Sequence, residues 1–162
     1  MIVGFGRVGR RIGEIFEIRD VPYVAVDIDA GLVKRERRAD RAVFYGDARQ
    51  QPDVLQSLGV SEAGLIIVTV DDFQATEQVV ASLRRAFPKL DILARGHDMD
   101  HCQSLREQGA SLAVSENLEA SIALAHAALA KVKEDAAEND AAIDRFRNDY
   151  YAAPTEEERQ EP

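Results

Sequence analysis

The glycine-rich run at positions 4–9, GFGRVG, is the feature that most constrains the fold of this chain. It follows the apolar start of the chain and precedes Arg7–Arg19, where apolar residues recur at helical spacing. A G-x-G-x-x-G run between a strand and a helix is typical of a phosphate-binding turn. Its three glycines allow, in order, a tight turn, close approach of a pyrophosphate, and close packing of the helix on the sheet. We therefore expect phosphate at the start of this helix, the alternative being a glycine turn without a ligand.

Apolar strand-like segments alternate with helical patterns along the next hundred residues. After the short first strand, the predicted strands are Tyr23–Asp27, Ala42–Tyr45, Gly64–Thr69, Asp91–Arg95 and Ser111–Val114. The predicted helices between them are Ala30–Asp40, Pro52–Leu58, Phe73–Phe87 and Asp98–Gln108. Apolar strands that alternate strictly with helices indicate a parallel sheet covered on both faces. The sequence thus predicts an α/β fold, a Rossmann-type doubly wound six-stranded parallel sheet with an extended C-terminal helix.

The segment after the sixth strand predicts a long helix that Ser115 caps. If continuous from Glu116 to Arg147, it is roughly 45 Å long, more than one sheet needs for cover. Its apolar stripe at 118–132 therefore predicts a dimer interface. We divide the chain into a nucleotide-binding domain at 1–115, a dimerisation and effector region at 116–150 and a disordered tail at 151–162. Because few residues precede Gly4, we also expect that the chain derives from a longer polypeptide.

Composition excludes several classes of function. The net charge of −9 argues against nucleic acid as a partner, because phosphates require a basic surface. No apolar run approaches the roughly 18 residues of a membrane span. The start of the chain lacks the pattern of a signal peptide. The single cysteine, Cys102, excludes an internal disulfide.

Polar residues cluster where predicted strands end, and these carboxyl ends bind ligands in open α/β sheets. Asp27 ends the second strand, eighteen residues after Gly9, the interval expected of a carboxylate that binds both ribose hydroxyls. Such a carboxylate repels a 2′-phosphate and disfavours NADP. Asp29 is a second candidate for the same contact, and a solvated acid at the strand end is the alternative.

Later strand ends add further candidates. Asp47 follows the third strand and is either a contact to an adenine amino group or a turn-forming aspartate. Thr69, Asp71 and Asp72 end the fourth strand, Arg95 ends the fifth and Glu116 follows the sixth. The position of Arg95 predicts a cation that points toward a phosphate or another anion.

Three other groups of residues have simpler interpretations. The set His97, Asp98, His101 and Cys102 has metal-ligand residue types, but Asp98 suits a helix cap and no further His or Cys is clustered. The basic residues at 34–41 form either a solvated helix face or a contact with an acidic partner. His126 on the long helix is a packed or surface histidine.

The ordered set of motifs resembles the TrkA-N type of domain, also called the RCK or KTN domain. Within that group it is most similar to the C-terminal domain of Kef-type, glutathione-gated potassium/proton antiporters. The runs that carry the resemblance are 4–9 (GFGRVG), 24–29 (VAVDID), 45–48 (YGDA), 67–72 (IVTVDD), 92–95 (ILAR), 97–101 (HDMDH), 105–110 (LREQGA) and 115–121 (SENLEAS). They span about 120 residues in the family's order.

The resemblance implies a regulatory domain at the cytoplasmic face of the bacterial inner membrane, attached to a transmembrane potassium/proton antiporter domain. It implies a homodimer, formed partly through the helix after the sixth strand, that binds NAD(H) or AMP and, in Kef-type members, glutathione or its conjugates. Arg95 would lie at an inter-subunit anion site, and 144–149 (DRFRND) is similar to the helix that completes the glutathione site. The motifs place the nucleotide-binding residues at Gly4, Phe5, Gly6, Arg7, Val8, Gly9, Asp27, Ile28, Asp47, Ala48, Thr69, Asp71, Arg95 and Glu116.

Catalysis has little support in the sequence. A dehydrogenase needs a substrate site and an acid or base beside its nicotinamide, whereas here only a helix follows the last predicted strand. We therefore expect a regulatory domain and not an enzyme. The alternative hypothesis is a small NAD-dependent oxidoreductase, or its cofactor-binding fragment.

Overall fold

The computed structural model describes residues 1–50, 52–133 and 135–152. Its strands are β1 (Ile2–Val3), β2 (Ala25–Asp27), β3 (Val43–Tyr45), β4 (Leu65–Val68), β5 (Asp91–Gly96) and β6 (Leu112–Ser115). They form one sheet in the order β3-β2-β1-β4-β5-β6, and each adjacent pair is parallel. The predicted doubly wound Rossmann-type sheet is confirmed. Strand β2 begins at Ala25, later than predicted, because both neighbouring strands begin opposite that residue.

The helices alternate with the strands as predicted. They are α1 (Arg7–Ile18), α2 (Ala30–Arg37), α3 (Pro52–Ser57), α4 (Phe73–Ala86), α5 (Met99–Glu107), α6 (Glu116–Val132) and α7 (Ala136–Ala152), with a 3₁₀ turn at Val60–Glu62. Aspartates cap three of them, since the side chains of Asp29, Asp72 and Asp98 accept backbone N–H bonds at the starts of α2, α4 and α5. Within the described residues, no helix is both long and apolar enough to cross a bilayer.

The core lies on both faces of the sheet because successive strand residues point to opposite sides. On one face Ile2, Phe5 and Ala25 pack with apolar residues of α1 and α2. On the other, Val3 and Val26 belong to a larger cluster that includes residues of α4 and α5. This packing fixes the carboxyl ends of the strands at one edge, where the predicted ligand residues lie.

The sequence left open whether the C-terminal helix continues to Arg147, and the structure shows two helices that form a hairpin. Helix α6 ends at Val132, and Lys133 takes an extended conformation. Helix α7 then runs back along α6, with His126 paired to Asp140 and Glu119 paired to Arg147. At the base of the hairpin, the Tyr151 hydroxyl accepts the backbone N–H of Ser115 and donates to Glu119. These cross-helix contacts stabilise the hairpin in place of a single rod.

The hairpin changes two further expectations. The tail predicted from residue 151 does not begin there, since α7 extends through Ala152, and residues 153–162 lie outside the described part of the chain. The apolar stripe 118–132 divides, with Leu118 and Ile122 buried and Leu124 and Val132 about three-quarters exposed. Only part of the stripe therefore remains available for an interface.

Candidate functional site

The glycine loop has the geometry that its sequence predicts. Gly4 has a φ of +87°, a left-handed conformation that favours glycine. A Cβ on Gly9 would lie 2.1 Å from the Gly4 carbonyl oxygen, so only glycine lets α1 approach the loop this closely. A Cβ on Gly6 would meet no atom within 4 Å, because this residue borders open space at the start of α1. The loop thus leaves room beside the first N–H groups of the helix.

Two side chains from neighbouring strands hold the loop in place. Asp27 at the end of β2 accepts the backbone N–H of Phe5 through Oδ2 at 2.6 Å. Thr69, directly after β4, donates its hydroxyl to the Gly4 carbonyl at 2.6 Å. The ring of Phe5 is fully buried and stacks with Tyr23. Phe5 therefore belongs to the core, and its N–H is already occupied, contrary to the expectation that it contacts a nucleotide.

A cleft of about 610 Å³ opens above the loop and the ends of the central strands. This volume is in the usual range of small-molecule sites. The predicted residues that line the cleft are Gly4, Gly6, Arg7, Val8, Asp27, Ile28, Asp47, Ala48, Thr69, Asp71 and Arg95. Phe5, Gly9 and Glu116 do not line it. Gly9 packs beneath the loop. Glu116 lies at the start of α6 and bonds to Arg95, which does line the cleft.

The two aspartates after β2 have separate roles. Asp27 uses Oδ2 for Phe5 and Oδ1 for the N–H of Asp29, so each of its oxygens keeps one lone pair unused. The side chain of Asp29 instead accepts the N–H groups of Gly31 and Leu32 at the start of α2. Asp29 caps α2 and does not line the cleft, whereas Asp27 does.

Beyond β3, Asp47 makes the turn-forming contact considered for it, and it also lines the cleft. Its Oδ1 accepts the backbone N–H of Arg49, which is the turn-forming contact. The Arg49 guanidinium also binds the carboxylate through two nearly parallel hydrogen bonds of 2.9 and 2.8 Å. These bonds lower the pKa of Asp47 below its ordinary value. Sequence reasoning missed Arg49, although it stands two residues after a candidate ligand, within reach of it.

Arg95 is held by two carboxylates from different elements. Its Nη1 donates to Asp71 at 2.8 Å, and its Nε donates to Glu116 at 2.7 Å, with Nη2 bonded to the same Glu116 oxygen. Arg7, on the first turn of α1, also reaches Asp71, at 3.3 Å. The sequence predicted a cation aimed at an anionic ligand, whereas the structure shows that this guanidinium is already neutralised within the chain. An anion that binds Arg95 must compete with Asp71 and Glu116.

The cleft is equipped for binding more clearly than for proton transfer. Among the described residues that line it, the ionisable side chains are aspartates and arginines. The hydrogen bond from Arg95 lowers the pKa of Asp71, as the bonds from Arg49 do for Asp47. Carboxylates with lowered pKa values stay ionised near neutral pH and are poor general acids. The arrangement suits recognition of phosphate, hydroxyl and amino groups.

The histidines near α5 lie outside the cleft lining and have structural contacts. The Nδ1 atom of His101 accepts the backbone N–H of His97, and the ring stacks on Phe73 with centroids 3.5 Å apart. Burial lowers the pKa of His101. Among the described residues, no group of three or more His, Cys, Asp or Glu side chains is arranged to hold a metal ion.

The basic residues at 34–41 separate in the structure. Arg41 bonds to Glu17 and to Glu36, a glutamate that is only 3% exposed. Arg37 lies over the ring of Phe44, while Lys34 and Arg38 border a shallow groove beside Tyr45. Arg35 also bonds to Glu36, so two members of the group contact this buried glutamate, while Lys34, Arg37 and Arg38 are exposed.

Comparison with known proteins identifies relatives of this chain. A TrkA-N domain model matches residues 1–116. The chain is 35% identical over 122 residues, 75% of its length, to the glutathione-regulated potassium-efflux system protein KefC of Klebsiella pneumoniae. It is also 35% identical over 148 residues, 91% of its length, to the chloroplastic K(+) efflux antiporter 2 of Arabidopsis thaliana. The aligned regions are only 20% and 12% of those two proteins.

Solved structures share the fold. The GsuK channel bound to NAD has a TM-score of 0.65 and 28% identity, and the match covers 83% of this chain and 23% of that one. The Kef C-terminal domain of Shewanella denitrificans in its AMP-bound form has a TM-score of 0.72 and 24% identity, with 93% and 91% coverage. The second likeness extends over the helical hairpin as well as the sheet, since it includes most of the chain.

Proposed function

The chain belongs to the TrkA-N domain family, and from that premise we propose that it is a ligand-sensing regulatory domain of a bacterial potassium/proton antiporter. NAD(H) or AMP binds in the cleft above the glycine loop and sets the activity of an attached transmembrane domain. The observation that carries this proposal is that the open space at Gly6 and the Asp27 carboxylate belong to the lining of one cleft. A phosphate fits the first feature, and a ribose diol fits the second.

The order of groups along the sheet edge supports a nucleotide over other anions. The glycine loop follows β1, Asp27 ends β2 and Asp47 follows β3, and these three strands are adjacent in the sheet. Neighbouring strands lie about 4.8 Å apart, so the three positions extend over roughly 10 Å. Phosphate, ribose and base follow one another in the same order and over a similar length in a nucleotide.

The comparisons support the same ligands. The related GsuK channel binds NAD, and another structure of it contains ADP. Potassium-efflux antiporters are relatives over most of this chain, although the chain spans a fifth or less of the two compared above. We propose accordingly that the domain lies at the cytoplasmic face of the inner membrane and regulates potassium efflux.

Calorimetry with NADH, NAD, AMP and NADPH tests the nucleotide proposal directly. We expect binding of the first three and weaker binding of NADPH. A parallel assay follows nicotinamide absorbance while the domain is incubated with NADH and carbonyl substrates. We expect no turnover, because the cleft lacks a suitable proton donor among its described lining residues. Oxidation of NADH in that assay would favour the oxidoreductase hypothesis.

We propose that residues 1–115 form the nucleotide domain and that 116–150 supply dimerisation and effector contacts. The exposed Leu124 and Val132 on α6, and Phe146 and Tyr150 on α7, are the apolar side chains available to a second copy. Sedimentation should therefore give a dimer at micromolar concentration. Leu124→Glu should shift it to monomer, and a wild-type chain that is monomeric throughout would contradict the proposal.

Glutathione or a conjugate is the effector that we propose for Arg95. Both molecules carry carboxylates that form charge-assisted bonds with a guanidinium. Arg147, in the segment similar to the Kef-type effector helix, is bound to Glu119 and Asp144. Titration with glutathione, with and without NADH, tests this assignment.

A further inference from the structure

The contact between Asp47 and Arg49, just after β3, determines which hydrogen-bond donors and acceptors this part of the cleft offers to a ligand. A carboxylate alone offers acceptors only. Here the Oδ1 atom of Asp47 accepts hydrogen bonds from both the backbone N–H and the Nε–H of Arg49. The Oδ2 atom of Asp47 accepts one from Nη2 of Arg49. One lone pair on Oδ2 remains, and beside it lie the N–H groups of Arg49 that Asp47 does not use. The pair therefore presents an acceptor next to a donor.

We propose that Arg49 is a specificity-determining residue that makes the base subsite select adenine over guanine. This inference rests on the proposed function, because the glycine loop and Asp27 must first anchor the phosphate and ribose. Adenine carries an N–H donor at position 6 and ring nitrogen acceptors at positions 1 and 7. An acceptor beside a donor is complementary to that edge.

Guanine at the same anchored position is mismatched. Its O6 is an acceptor and faces Oδ2 of Asp47, and its N1 carries a hydrogen that faces the Arg49 donors. An unpaired Asp47 carboxylate, by contrast, would accept the N1–H and N2–H groups of guanine together. Arg49 thus acts both by positioning Asp47 and by removing the two-acceptor surface that guanine requires. A site whose polar groups pair with one base and stay unpaired against another discriminates between the two.

The burial of the two side chains is compatible with this role. The side chain of Asp47 is 20% exposed and that of Arg49 is 35% exposed, and both line the cleft. The contact is formed between residues two apart, so it does not depend on a distant element. The two side chains are therefore oriented before a ligand binds.

AMP and GMP binding to the intact chain, measured by calorimetry, tests the proposal. Wild type should prefer AMP by roughly ten- to a hundredfold. Arg49→Ala should reduce that ratio to near one, with weaker AMP binding and stronger GMP binding. Arg49→Lys should restore the ratio only in part, because lysine keeps the charge but lacks the planar fork that orients the carboxylate. Circular dichroism checks that each variant is folded.

Arg7→Ala is the matched control, since Arg7 is a cleft arginine beside the glycine loop and away from the base. It should weaken AMP and GMP by the same factor and leave their ratio unchanged. An AMP:GMP ratio that Arg49→Ala leaves unchanged, or that Arg49→Lys restores fully, would overturn the proposal. Wild-type protein that binds neither AMP nor NADH would instead overturn the nucleotide function itself.

Discussion

The carboxylate of Asp27 accepts the backbone N–H of Phe5 at 2.6 Å, so that the end of β2 holds the glycine loop that follows β1. The same carboxylate also accepts the N–H of Asp29, which begins the turn into α2. Asp27 is thus a structural anchor as well as the proposed ribose ligand. Substitutions at this position must be interpreted with both roles in mind.

Asp27→Asn should separate the two roles. The amide keeps an oxygen for one of the N–H groups but removes the charge that repels a 2′-phosphate. We expect wild type to prefer NADH over NADPH by at least about tenfold, a difference of about 1.4 kcal/mol, and the variant to lose most of that preference. Competition calorimetry measures the ratio. Wild-type protein that binds NADPH as tightly as NADH would remove Asp27 from the ribose assignment.

Gly6→Val should abolish nucleotide binding without unfolding the domain. The new side chain would occupy the space beside the loop, where a Cβ meets no protein atom within 4 Å. It should therefore block the nucleotide without reducing the stability of the domain. Gly64→Val is the control, since Gly64 is equally open but does not line the cleft. Thermal melts and calorimetry on both variants test this contrast. Gly6→Val protein that still binds AMP normally would place the phosphate elsewhere.

Arg95 and Glu116 should give opposite effects on anion binding. A charge-assisted bond contributes about 1.5–3 kcal/mol, so Arg95→Ala should weaken effector binding roughly ten- to a hundredfold. Arg95→Lys should recover only part of it, because lysine lacks the bidentate fork. Glu116→Gln should strengthen binding, since it removes the charge that competes for Nε and Nη2.

The measurements are glutathione titration of the domain and ligand-gated potassium flux in the full-length antiporter that we propose. Arg95→Ala should alter gated flux and leave ungated flux intact. If binding and gating are both unchanged in this variant, Arg95 is a structural arginine held by Asp71 and Glu116.

Arg41 should stabilise the domain in a pH-dependent way. Burial raises the pKa of Glu36, but hydrogen bonds from Arg41 and Arg35 outweigh that effect and the net pKa is lowered. The hydrogen bond from Arg41 also lowers the pKa of Glu17. A carboxylate with a lowered folded-state pKa adds stability above its unfolded value, near 4.5, and this contribution is lost as the pH falls through the folded value.

Arg41→Ala should therefore reduce the free energy of unfolding by roughly 2 kcal/mol at pH 7, and by progressively less below pH ~4.5. Urea denaturation of wild type and variant at several pH values measures the difference. Arg38→Ala, an exposed arginine of the same basic group, is the control and should change stability little. A loss of stability that is constant from pH 7 to pH 3 would contradict the ionic origin of the effect.

The sequence by itself determined the sheet, the loop and the edge at which we propose that a ligand binds. Strand and helix periodicity is a local property and can be read from neighbouring residues. The three glycines at 4, 6 and 9 meet requirements of backbone conformation and close approach that few other residues meet. Asp27 was identifiable because the spacing from the glycine loop to the end of the second strand is fixed by one helix and one strand.

Tertiary structure alone decided how the charges pair and where the last helix ends. Arg95 is 24 residues from Asp71 and 21 from Glu116, and which carboxylates it binds depends on strand order and not on sequence distance. Likewise, Glu119 and Arg147 meet only because α7 runs back along α6. The helical pattern of this segment is compatible with one rod or two helices, and the energy of long-range contacts such as Tyr151 with Ser115 selects between them.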